Sequence, residues 1–158
     1  MKDSYLISKL NWFYSLEVTQ VDNYMTQSKA IEHPYISLAL ARFAAIEQEH
    51  VENIAAYIKN MGEEPTASGD AVSSYLGRII GKITPSTGLM NMLRFNVAVE
   101  KKAKSDYKKL IDQVKEPKLL KLLWRNFVDE DLHTSWMEEQ IRFMLLANEM
   151  KKLGLTKS

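Results

Sequence analysis

The sequence predicts an all-α fold, an antiparallel four-helix bundle forming a single domain over residues 1–158, with one long crossover between the second and third helices. Three observations carry this. Apolar residues recur at alternating spacings of three and four through four long segments, and strand alternation is almost absent. Glycine (6) and proline (4) are scarce, and three of the prolines fall where a helix can begin. Two of the three connections are short turns, which join antiparallel neighbours.

The first helix is expected over about 3–31, with Leu6, Leu10, Phe13, Glu17, Gln20 and Tyr24 on one face. The second follows the His33-Pro34 turn and runs over about 34–61, with Ile36, Leu40, Phe43, Glu47, His50, Ile54, Tyr57 and Met61 aligned. The third is expected over about 86–114, opened by Pro85, with Leu93, Val97, Glu100, Ala103, Tyr107 and Leu110 aligned. The fourth follows Glu116-Pro117 over about 117–151, with Leu119, Leu123, Glu130, His133, Met137 and Met144 aligned. The stretch from Gly62 to Pro85 is long for a compact domain and must return the chain to the other end of the bundle. Within it, "AVSSYLGRIIGKI" places Val72, Leu76, Ile79, Ile80 and Ile83 on one side, so a short extra helix is expected there.

Composition narrows the function. At 158 residues the chain can bury a real core. A net charge of +1 gives no global electrostatic case for nucleic acid or for an acidic membrane. Cysteine is absent, which removes disulfides, thiolate metal sites and cysteine nucleophiles. The first residues, MKDSYLISKLNWFYSLE, carry charge too early and too often for a signal peptide, and no apolar run approaches the roughly 20 residues of a membrane span. A soluble cytoplasmic protein is expected. The lysine-rich run "EKKAKSDYKK" reads as the solvated face of the third helix.

The segment "AAIEQEHVENI" sets Glu47 and His50 on an apolar face, and a second Glu-x-x-His occurs at Glu130 and His133. Glu17 precedes Glu47 by 30 residues, and Glu100 precedes Glu130 by 30. The two halves thus repeat one plan with an offset of 83, and Tyr24 and Tyr107 match under the same offset. Four buried carboxylates repel each other and resist ionisation. Two divalent cations would neutralise them, and two imidazoles would complete the coordination. An oxygen-rich site with one histidine per metal suits iron or manganese better than a tetrahedral structural zinc. The alternative is a buried polar network without metal, an all-polar core layer that would be unstable.

One Glu from each of two helices with a Glu-x-x-His from each of the other two is the di-iron carboxylate pattern. On these residues the chain resembles the ferritin-like di-iron superfamily over about residues 5–150, closest to its rubrerythrin and demethoxyubiquinone hydroxylase branches. The resemblance implies two iron ions, with manganese or zinc as substitutes. It makes Glu17 and Glu100 terminal ligands, Glu47 and Glu130 bridges, and His50 and His133 ligands of one metal each. It pairs Glu17 with His50 and Glu100 with His133. It further implies an oxidoreductase acting on peroxide or dioxygen, or on an organic substrate such as a quinone. The alternatives are a ferroxidase of an iron-storage protein and a non-catalytic metal-binding bundle. With no cysteine there is no rubredoxin-like module, so electrons are expected from a separate donor protein, and a homodimer is expected.

Around the six residues, Gln20 is a candidate donor one turn after Glu17. Asp129 immediately precedes Glu130 and either orients His50, as the corresponding Asp does in oxygen-activating relatives, or is a solvated side chain; the first half has Ile46 at that place. Tyr24 and Tyr107 are either relays or packing side chains. The crossover, with Arg78 and Lys82, either caps the bundle or touches a lipid surface. Rubrerythrins also carry a further Glu one turn after the third-helix ligand. Here that position is Ala103, which cannot coordinate.

Overall fold

The computed structural model describes residues 3–69, 72, 73, 76 and 88–155. Four helices account for most of them: α1 (Asp3–Ala30), α2 (Pro34–Asn60), α3 (Leu89–Ile111) and α4 (Pro117–Lys152). No strand occurs among the described residues. None of the described helices is long and apolar enough to cross a membrane.

The helix boundaries follow from local chemistry. Pro34 and Pro117 stand in the first turns of α2 and α4, where a missing N–H is not needed. Glu116 caps α4 with its own carboxylate, which accepts from the backbone N–H of Lys118 at 2.9 Å and of Leu119 at 2.5 Å. Gly62 ends α2 with a φ of 83°, a left-handed conformation that glycine adopts without penalty. Ser37 Oγ donates to the Ser28 carbonyl at 2.7 Å and ties the α1–α2 turn together.

The third helix is shorter than expected. It starts at Leu89, because Gly88 holds a φ of 152° that no helix contains, and it ends at Ile111 in a turn rather than at 114. Of the expected crossover helix, Val72, Ser73 and Leu76 are helical, and the rest, including Arg78 and Lys82, lies outside the described residues.

Helix α1 packs chiefly against α2, and α3 against α4. The core has two apolar parts. One contains Leu10, Phe13, Leu16, Ile54, Ile58, Leu110, Leu119 and Leu123. The other contains Ile36, Leu40, Phe43, Leu93, Val97 and Met137. Burying each such large side chain contributes about 1.5–3 kcal/mol. On α2 the apolar stripe ends on Ile58 rather than on Tyr57 and Met61, which are half-buried, because the 3.6-residue period drifts along a helix of 27 residues. Between the two apolar parts lies a layer of acids and histidines.

Candidate metal centre

Each helix contributes to that layer through its core-facing stripe. Glu17 comes from α1, Glu47 and His50 from α2, Glu100 from α3, and Glu130 and His133 from α4. Five of the six are 0% exposed and His133 is 1% exposed. The spacing of three within each Glu-x-x-His puts both side chains on one face, so each motif reaches the same depth.

These residues form two overlapping groups. Glu17, Glu47, His50 and Glu130 each bring one ligand atom to within 4.8 Å of the others, and so do Glu47, Glu100, Glu130 and His133. Glu47 and Glu130 belong to both. His50 Nδ1 lies 2.9 Å from Glu47 Oε2 and 3.7 Å from Glu130 Oε1. His133 Nδ1 lies 3.0 Å from Glu47 Oε1, 3.6 Å from Glu100 Oε1 and 3.8 Å from Glu130 Oε2.

The two shortest approaches, from Glu47 to His50 and to His133, are ion-pair distances that bind when the imidazole is protonated. Among the described residues, eleven buried side-chain atoms lack a hydrogen-bond partner, and nine of them belong to these six residues. They include both oxygens of Glu47 and Glu130, one oxygen each of Glu17 and Glu100, and Nδ1 of both histidines. An unsatisfied buried polar group costs about 1–3 kcal/mol. The six oxygens and the two Nδ1 atoms together are costly in one layer unless their lone pairs serve a cation. The donor set of four carboxylates and two imidazoles matches two divalent ions in charge and in ligand type.

A second layer of hydrogen bonds crosses between the halves. Tyr107 on α3 donates to Glu17 Oε1 on α1, and Tyr24 on α1 donates to Glu100 Oε1 on α3. Gln20 Nε2 also donates to Glu100 Oε1, at 3.5 Å. Asp129 Oδ2 stands 3.1 Å from His50 Nε2. A carboxylate can only accept there, so Nε2 carries a proton in either state of the ring, and Nδ1 faces the layer, able to give its lone pair to a cation once its own proton leaves. His133 has no such support. Its Nε2 is unpartnered and its ring packs on Phe43 with centroids 4.1 Å apart. Ile46 is the counterpart of Asp129, which accounts for the asymmetry.

The electrostatics of the layer's own side chains are those of confined like charges. Burial pushes Glu17 well above the usual carboxylate range, and the neighbouring Glu47 adds to this. Burial does the same to Glu130, reinforced by Glu100, Glu47 and Glu17. Burial would also raise Glu47, but the adjacent imidazoles of His133 and His50 outweigh it and hold Glu47 down at about 2. Burial would lower His50, yet Asp129 and Glu47 raise it to about 10; His133 is raised to about 9 by Glu100 and Glu47 against the same burial. Tyr24 and Tyr107 are pushed up by burial and by the carboxylates they touch, so both hydroxyls keep their protons.

The expected neighbours Gln20, Tyr24, Tyr107 and Asp129 all touch the layer, and Asp129 contacts His50 as one of its two readings required. Asn126 escaped the sequence reading. It is 0% exposed and donates to the Tyr107 hydroxyl at 3.1 Å. Its signal was available, since it stands four residues before Glu130 on the same face of α4. Ala103 is fully buried in the apolar core beside Glu100.

A search of curated proteins returned no match to the chain. The model of the ferritin-like domain matches residues 7–145, a span that contains all six layer residues and every side chain that supports them. A four-helix bundle with its buried acid–histidine layer and this match over most of its length agree, and the chain belongs to the ferritin-like domain family.

Proposed function

We propose that the chain is a di-iron oxidoreductase that reacts with peroxide or dioxygen, in the manner of the rubrerythrin and demethoxyubiquinone hydroxylase branches. The observation that supports this reading is the set of six carboxylate oxygens and two imidazole Nδ1 atoms, all buried in one layer and without hydrogen-bond partners. In the proposed centre Glu17 and His50 would hold one ion, Glu100 and His133 would hold the other, and Glu47 and Glu130, which belong to both donor groups, would serve both. Iron held there would supply the two electrons that reduction of peroxide or dioxygen requires.

The chain's own residues do the rest. The apolar parts of the core on either side exclude bulk water from the layer. The Tyr107 and Tyr24 hydroxyls hold protons against Glu17 and Glu100 and restrain their rotation. Asp129 fixes the tautomer and ring orientation of His50. These 158 residues hold no cysteine, so in this reading electrons reach the layer from outside the bundle.

The family match favours a second reading, oxidation of ferrous iron for storage, which uses the same six residues. Anaerobic loading with ferrous iron, followed by stopped-flow mixing with oxygen and separately with hydrogen peroxide, distinguishes the two. The oxidoreductase reading predicts about two irons per chain and faster oxidation by peroxide. Continued uptake of iron far beyond two per chain, in a cage-sized assembly, would establish storage instead.

A further inference from the structure

We propose a second binding site, separate from the acid–histidine layer, that takes a planar aromatic anion: a flat ring system carrying one carboxylate or phosphate. It is a cavity of about 320 Å³ between the start of α1 and the end of α3. That volume falls in the range of small-molecule sites, about 300–1,000 Å³.

Its walls divide into rings and charges. Tyr5 and Trp12 from α1 border it, and Phe13, 1% exposed, forms part of its wall. Trp12 is fixed in place because its indole N–H donates to Asp106 Oδ2 at 3.2 Å. Three lysines border the cavity, two of them over its rings. Lys9 Nζ is 5.3 Å from the Tyr5 ring centroid, and Lys102 Nζ is 5.7 Å from that of Trp12. Lys109 completes the set.

Among the described residues the cavity holds one carboxylate against these three lysines, and it is already engaged. Asp106 accepts from the Trp12 indole and pairs with Lys102 and Lys109, the latter at 3.5 Å. Among the described residues Lys9 pairs with no carboxylate. Among the described lining residues the balance of charge is positive, with Lys9 and Lys109 the exposed cations, which selects an anion, and the ring-lined wall selects a flat apolar body. A guest with both properties satisfies the whole cavity; inorganic phosphate or a neutral hydrocarbon satisfies half of it.

The location gives the site a connection to the buried layer. Phe13 also stacks on Tyr107, with centroids 4.0 Å apart and planes 14° from parallel, and Tyr107 donates to Glu17. A guest against Phe13 is one ring from the side chain that supports Glu17. The proposal itself does not rest on the metal reading, since none of the six layer residues lines the cavity.

The test uses the full chain and the indole N–H signals of its three tryptophans in a titration followed by NMR, with 2-naphthoate as the probe. The expected result is a saturable shift of the Trp12 signal, with Trp124 and Trp136 unmoved. Binding of 2-naphthylmethanol, the neutral analogue, and of inorganic phosphate should each be weaker by about tenfold or more, and the double variant Lys9→Gln/Lys109→Gln should lose a similar factor for 2-naphthoate. Both lysines are on the surface, and circular dichroism of the variant checks that it stays folded. An unmoved Trp12 signal would overturn the proposal. So would equal binding of the neutral analogue, or unchanged affinity in the double variant.

Discussion

Replacing Asp129 with alanine should weaken one metal position and spare the other. The carboxylate lies 3.1 Å from His50 Nε2, and nothing equivalent supports His133. Loss of an outer partner of a metal-bound histidine typically costs about 10–100-fold in affinity. Asp129 is 24% exposed, so water can partly replace it, and the lower end applies: about tenfold, or about 1.4 kcal/mol. Asp129→Asn should lose less, because its carbonyl oxygen still accepts from Nε2–H. The assay is an anaerobic titration of metal-free protein with ferrous or cobaltous ion, fitted to two sites. The expected result is one site weakened about tenfold in Asp129→Ala, the second unchanged, and Asp129→Asn between wild type and Ala. Equal weakening of both sites, or no change at either, would refute the assignment of Asp129 as the residue that orients His50.

Three further outcomes follow from the same geometry. Glu47→Ala should impair both metal positions, since Glu47 belongs to both donor groups, and a variant that loses only one metal would contradict its bridging role. Metal-free protein should lose thermal stability as pH rises from about 6.5 to 10. His50 and His133 have folded values raised from 6.5 to about 10 and 9, so their contribution is full below the unfolded value and vanishes above the folded ones. Glu17 and Glu130, raised chiefly by burial, act in the same direction, so metal uptake near neutral pH should also release protons, read as a buffer-dependent heat in calorimetry. A melting temperature that climbs across this window would count against these proton positions. Finally, because Ala103 offers no ligand, both histidines should stay bound in reduced and oxidised crystals. Departure of a metal from either histidine by about 1 Å, against a ligand-distance tolerance of about 0.2 Å, would show the inference from Ala103 to be wrong.

Much of the site was legible because the chain repeats itself. The 83-residue offset singled out Glu17, Glu47, His50 and their counterparts, and helical spacing put them on core faces. Spacing along one helix does not say which residue is met across the bundle. Tyr24 is seven residues after Glu17, about 10 Å further along the axis, and so it meets Glu100 of the other half instead. Gln20 likewise reaches Glu100 rather than Glu17. The start of α3 was obscured because Pro85 offered a plausible first turn, whereas the positive φ of Gly88 sets the boundary. Asn126 was overlooked because an isolated Asn has no repeat partner: its counterpart under the offset is Phe43. The lysines of "EKKAKSDYKK" are solvated as expected, Lys109 at 68% exposure, and the packing of α1 against α3 adds that Lys102 and Lys109 border one cavity.

The central claim is that the six buried residues hold a pair of metal ions. Anomalous diffraction from crystals of the protein loaded anaerobically with ferrous iron tests it directly. The account predicts two peaks per chain about 3.5–4 Å apart, one bonded to His50 Nδ1 and Glu17, the other to His133 Nδ1 and Glu100, with Glu47 and Glu130 contacting both. A single peak, or an acid–histidine layer that stays empty at saturating iron while the helices keep their places, would contradict it.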